Sequence, residues 1–146
     1  MDINLSVFKH SVDIQIRFGD IDRNGHVSNT VYPAYYDFGK VQYFNAVLGD
    51  MDWGEEGLIM ASIKTDYLKP VYLNTKISVL TRVACIGNKS LNMEHCIVER
   101  DTGVVMSVCT TALVCFDYLS GESIPVPERW RENIKDYERN DDLSAG

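Results

Sequence analysis

With 146 residues and 45% hydrophobic content, the chain is sized and composed for one globular domain with a conventional core. A formal net charge of -7 makes nucleic acid an unsuitable main partner. No run reaches the roughly 18 apolar residues that a membrane span requires. Met1–Leu5 has neither the basic start nor the apolar core of a signal peptide, so the expected location is cytoplasmic.

Val12–Phe18 alternates apolar and polar residues as a strand does and runs into Gly19. A polar turn follows, holding Asp20, Asp22, Asn24, His26 and Asn29. The segment from Asn29 to Leu48 reads as a helix with apolar residues on nearly all sides, the mark of a buried helix. Gly49-Asp50 ends it, and the acidic stretch Met51–Gly57 is a loop. Carboxylate, amide and imidazole groups therefore sit between a strand and a helix start, where free N–H groups favour developing negative charge. The same residues also suit a plain turn and helix cap, which would need no chemistry.

Four further strand-like runs follow: Leu58–Val71, Thr75–Ile86, Ser90–Arg100 and Val104–Tyr118. Lys69-Pro70 interrupts the first, and a proline there marks a strand edge or a bulge. The second places Ile77, Val79, Thr81, Val83 and Cys85 on one face. The third places Leu91, Met93, His95 and Ile97 on one face, with His95 expected as a hydrogen-bonded core residue. Asp101-Thr102-Gly103 is a hairpin turn. The fourth run is apolar enough for a central strand. Pro127 opens a short helix carrying Trp130, Ile134 and Tyr137, and Asn140–Gly146 is expected to fray. This divides the chain into a body, 1–126, and a helical tail, 127–146.

Cys85, Cys96, Cys109 and Cys115 show neither a CxxC pair nor a metal-ligand spacing, and they read as structural thiols. Between Lys64 and Arg100 lysine and arginine outnumber acids. That local basic band suits either solvated strand faces or the phosphates of a small molecule.

Strand, long helix and four antiparallel strands are the order of a hot-dog fold. The expected class is therefore α+β, a single five-stranded antiparallel sheet wrapped around a long central helix, with a short C-terminal helix. The stretch Phe18-Gly19-Asp20-Ile21-Asp22-Arg23-Asn24-Gly25-His26-Val27-Ser28-Asn29 resembles the 4-hydroxybenzoyl-CoA thioesterase-like family of that superfamily. Val31-Tyr32, Tyr35-Tyr36 and Tyr67-Leu68-Lys69-Pro70-Val71 continue the resemblance. It covers about Leu5 to Tyr118. Asp22 to Asn29 is also similar to the active-site stretch of plant-type acyl-ACP thioesterases, which usually carry two such repeats where this chain has room for one.

The resemblance implies an acyl-CoA thioesterase with Asp22 as nucleophile or general base. Asn24 and His26 are the other catalytic candidates, orienting Asp22, positioning water or touching the carbonyl. Asn29, Thr30 and Tyr32 are the substrate-binding candidates, with N–H groups near Asn29 and Thr30 polarising the thioester. Asp20 reads as a turn residue or a like-charged neighbour of Asp22. No cofactor and no metal are expected, coenzyme A entering as part of the substrate. Hot-dog hydratases resemble Asp-x-Asn-Pro-x-His, with histidine five residues after aspartate. Here His26 lies four after Asp22 without a proline, which disfavours hydration. The alternatives are acyl-ACP as carrier and a non-catalytic acyl-thioester binding module. Exposed sheet edges predict a homodimer or homotetramer, and the resemblance implies active sites at subunit interfaces.

Overall fold

The computed structural model describes residues 3–49, 53–139 and 143. Strand β1 (His10–Ile14) is followed by a 3-10 turn at Phe18–Asp20 and helix α1 (Tyr32–Leu48). Strands β2 (Glu56–Tyr67), β3 (Ile77–Ile86), β4 (Ser90–Glu99) and β5 (Val105–Asp117) come next, then a two-residue strand β6 (Glu122–Ser123) and helix α2 (Glu128–Glu138). The main order is β1-β3-β4-β5-β2, antiparallel throughout, with β6 added on β5. This curled sheet packed around α1 is the hot-dog arrangement expected from the sequence. Asp50 of the expected helix stop, Met51 and Asp52 of the expected acidic loop, and the expected frayed tail apart from Leu143, lie outside the described residues.

The first strand is shorter and earlier than the alternation of Val12–Phe18 predicts. It ends at Ile14, where its pairing partner β3 begins at Ile77, so the chain beyond has no neighbour to ladder with. Helix α1 likewise starts three residues after Asn29. Ser28 holds the intervening turn, its Oγ accepting from the Thr30 N–H at 3.2 Å and its carbonyl from the Val31 N–H at 2.9 Å.

Helix α1 buries Tyr32, Tyr35, Tyr36, Gly39, Tyr43, Phe44, Val47 and Leu48 on one side. Its closest approach to the sheet is at Gly39, where a Cβ would lie 2.6 Å from Val79 Cγ1. The other flank is open: Phe38 is 44% exposed and Val41 39%. A helix apolar on all sides is thus covered on one side only within a single chain.

Bulges decide which side chains face it. An extra residue at Ala84 turns Cys85 out of the row Ile77, Val79, Thr81, Val83 and brings Ile86 into the core instead. Cys96, Cys109 and Cys115 are buried free thiols, and burial pushes them up to about 12, 11 and 12 respectively. They stay protonated and unreactive at neutral pH.

The core has two parts. One gathers Tyr32, Tyr35, Tyr36, Ile77, Val79 and Ile97; the other gathers Tyr43, Phe44, Val83, Leu91, Met93 and Leu113 with Trp130 and Ile134 of α2. Between them lies a polar row. His95 contacts Thr81 Oγ1 through Nδ1 at 3.3 Å and Thr111 Oγ1 through Nε2 at 3.1 Å. Burial, with the Lys40 charge nearby, lowers the His95 pKa to about 4, so the ring is neutral at pH 7. The expected satisfied core histidine is what the structure shows.

Candidate active site

The polar turn is a tight loop closed at its neck. Ile21 and Val27 form a single antiparallel bridge, and the Asp22 N–H donates to the His26 carbonyl at 2.9 Å. Gly25 sits at φ +85, a left-handed conformation that glycine adopts without a Cβ clash. Asp22 Oδ1 accepts from the Asn24 backbone N–H at 2.8 Å, an Asx turn, so the carboxylate helps to build the loop that displays it. Val27 anchors the far leg: its side chain is buried and its N–H donates to the Val71 carbonyl at 2.8 Å.

That last bond brings in the other wall. Beyond β2 the Leu68 and Lys69 N–H groups both donate to the Met106 carbonyl, at 2.9 and 3.0 Å. Met106 is the extra residue in a β5 bulge, so one carbonyl turns the 67–71 segment away from the sheet. The result is a cleft of about 460 Å³ lined by Asp22, Asn24, His26, Asn29 and Tyr32 on one side and Tyr67 to Pro70 on the other. Tyr67 closes one end. Its ring stands edge-on to Tyr32 at 4.9 Å, and its hydroxyl donates to the Asn29 carbonyl at 3.2 Å.

Five of the six candidate site residues therefore share one cleft. Thr30 is the exception: its hydroxyl pairs with Ser28 Oγ at 2.8 Å and its N–H is taken by the same oxygen, so it has no free amide to offer a carbonyl. The amide heading the helix belongs to Tyr32, which has no partner within the helix, and Pro33 after it has no N–H. Asn24 and His26 line the cleft without their side chains bonding Asp22. The His26 ring lies 3.4 Å from the Val27 carbonyl through Nδ1 and edge-on to Tyr72.

One wall of the cleft is not assigned to the site from sequence. Tyr67, Leu68, Lys69 and Pro70 form it; Lys69-Pro70 reads from sequence only as a strand edge or bulge, and the place of these residues in the family resemblance is the signal that could have found them. Of the cations in the basic band, Lys69 lines this cleft, whereas Lys64 faces a pocket beside Glu94 and Thr110, and Arg82 is paired with Glu94 at 3.2 Å. Among the described residues, no three or more of His, Cys, Asp and Glu converge as metal ligands do. No helix among them is long and apolar enough to cross a membrane.

A family model described as the thioesterase-like superfamily matches residues 16–134, from before the polar turn to α2. The chain belongs to that superfamily. A thioesterase from Thermus thermophilus, solved in complex with coenzyme A and Zn, is 30% identical, covering 93% of this chain and 98% of its own, with a TM-score of 0.82. The PA2801 protein of Pseudomonas aeruginosa, a putative thioesterase, is 29% identical over 87% of this chain and 98% of its own, with a TM-score of 0.79. An uncharacterized protein, YsmA of Bacillus subtilis, is 24% identical over 75% of this chain and 72% of its length. As a member of the thioesterase superfamily with that fold, the chain is a thioester hydrolase.

Proposed function

We propose that the substrate is an acyl-CoA and that Asp22 performs the hydrolysis. The observation that carries this is the cleft itself, which sets an accessible carboxylate, an imidazole and two asparagines beside a helix N-terminus. In one route an Asp22 oxygen attacks the thioester carbonyl, coenzyme A leaves as the thiol, and water hydrolyses the mixed anhydride. In the other, Asp22 takes a proton from water as it attacks the same carbon. Either way negative charge grows on the carbonyl oxygen. Tyr32, which lines the cleft and heads α1, offers its N–H to stabilise that charge. Asn24, His26 and Asn29 hold the acyl carbonyl and the water, and Lys69 at the rim meets a phosphate of the carrier. The coenzyme A complex of the Thermus thioesterase supports that carrier.

We propose too that the enzyme assembles as a homodimer, alone or as the unit of a homotetramer. Strand β2 is twelve residues long and lies at the sheet edge, with Ile59, Met60, Ile63 and Tyr67 exposed. An extra residue at Ala61 keeps Leu58, Met60, Ile63, Thr65 and Tyr67 opposite residues of β5 that face α1, and Leu58 shares a pocket with Val41 on the open flank of the helix. A second copy pairing along β2 covers edge and flank together.

The test is thiol release from a panel of acyl-CoAs, varied in chain length and aromatic character, with acyl-ACP as a second carrier. Turnover on CoA esters that falls about 10²- to 10⁴-fold in Asp22→Asn is the expected result. Tight binding with no turnover by the wild type would overturn the proposal in favour of a binding module. A monomer in micromolar sedimentation would remove the dimer.

A further inference from the structure

Two residues before Asp22 lies a carboxylate in the opposite situation. Asp20 is 4% exposed, while Asp22 opens onto the cleft. Its Oδ2 accepts from the Tyr35 hydroxyl at 2.6 Å and from the Arg17 N–H at 3.0 Å, and Arg17 Nη2 stands 3.6 Å from Oδ1. Its backbone is engaged as well: the N–H donates to the Arg17 carbonyl and the carbonyl accepts from the Ser28 N–H, both at 2.9 Å. One residue thus ties the stretch that follows β1, the first turn of the helix and the point where the loop returns. Tyr35 and Asp20 are not part of the cleft wall.

We propose that Tyr35 and Asp20 are positioning residues that set the Asp22 carboxylate against the head of α1, so that turnover depends on the Tyr35 hydroxyl. This rests on the reading of Asp22 as the reacting carboxylate. Packing alone does not call for the pair, because two apolar groups of the same shape fill such a space at similar stability. What the pair adds is direction. A charge-assisted bond of this length fixes the distance and angle between the loop neck and the helix, which a Phe–Leu contact leaves adjustable. Burial pushes the Asp20 carboxyl up, but the hydrogen bonds from Tyr35 and Arg17 together with the Arg17 charge outweigh it, leaving its pKa below the ordinary value. The carboxylate is therefore ionised at neutral pH, and the clasp is closed there. Among the described residues Asp22 has no equivalent tether, since the bond that reaches its carboxylate comes from its own turn. Its position is inherited from the neck.

The test compares Tyr35→Phe with Tyr43→Phe, a control that loses an O–H bond to a carboxylate at the far end of the same helix. Asp22→Asn and Asp20→Asn complete the set; the latter keeps an acceptor oxygen for Tyr35. In the free-thiol assay, per folded molecule, Tyr35→Phe is expected to lose about 10- to 100-fold in kcat. KM should stay within about twofold, while Tyr43→Phe keeps the wild-type kcat and Asp20→Asn, which keeps the acceptor but loses the charge, falls between Tyr35→Phe and the wild type. Amide hydrogen exchange at Asp22, Asn24 and Ser28 should quicken in Tyr35→Phe and stay unchanged in Tyr43→Phe. Wild-type kcat in Tyr35→Phe overturns the proposal, as does unchanged exchange at those three amides, which can be read even without a turned-over substrate. Wild-type turnover in Asp22→Asn overturns the reading of Asp22 instead, and the exchange result still decides whether the clasp positions the loop.

Discussion

Near each end of α1 a tyrosine hydroxyl donates to a buried carboxylate 2.6 Å away, Tyr35 to Asp20 and Tyr43 to Glu138. In both, the accepting oxygen also takes a backbone N–H, from Arg17 at 3.0 Å and from Val83 at 3.1 Å. The chemistry is the same and the settings differ. At the far end, β1 stops at the partner of Thr81, leaving the Val83 N–H past its reach, and Glu138 from the end of α2 supplies the missing acceptor. Trp130 and Ile134 then seal that end with apolar contacts. At the near end the carboxylate belongs to a loop held by hydrogen bonds, with an open cleft two residues on. One bond closes a core, and its twin aims a side chain.

Four measurements break or sharpen this contrast. The largest effect is expected at the packed end: Trp130→Ala removes a 2% exposed side chain and should cost about 3–5 kcal/mol in urea unfolding. Exchange at Asn24 and Ser28 should be unaffected while the protein stays folded. The polar row between the two core halves gives the next. Because the folded His95 pKa is lowered from 6.5 to about 4, the unfolded chain binds that proton first as pH falls. Its contribution is intact above pH 6.5 and is lost progressively toward pH 4. It amounts to at most about 3.5 kcal/mol at about 1.4 kcal/mol per pH unit, and His95→Gln should flatten that part of the stability–pH curve. Tyr43→Phe leaves the Glu138 carboxylate short of a donor and should cost about 2 kcal/mol, measured by denaturant midpoint, with kcat unchanged. The smallest falls on the loop. Gly25→Ala at φ +85 should lower stability by about 1 kcal/mol, seen as a small drop in melting temperature, while turnover falls disproportionately.

The order of strands and helices was legible from alternation, periodicity and turn residues, and the fold followed from that order. The polar turn at the strand–helix junction was legible too, although spacing alone suits a plain turn and cap equally well, and it is the family resemblance that marks it as a candidate site. The inward row Leu91, Met93, His95 and Ile97 was also readable, because β4 keeps an unbroken period of two along that stretch. Where a bulge intervenes the alternation misleads: Cys85 is assigned inward by counting and is turned out by Ala84. The helix start was placed too early because Asn29 and Thr30 look like cap residues, and Ser28 supplies the capping oxygen for Thr30.

Two aspartates two positions apart, identical in kind, mark the division between sequence and structure. Sequence by itself determined that a turn between the first strand and the long helix holds both, because turn chemistry and hydrophobic period act over a few residues. Family resemblance singled out Asp22, but nothing local says that Asp20 is buried and clasped. That was decided by Tyr35, fifteen residues along, and by the return of the chain at Ser28. The same holds for Lys69, which meets the cleft because the Met106 carbonyl bends its segment. It holds too for the open flank of α1, set by which strands the helix lies over. Burial and hydrogen-bond partnership are properties of what arrives from elsewhere in the chain, and only the folded structure brings it there.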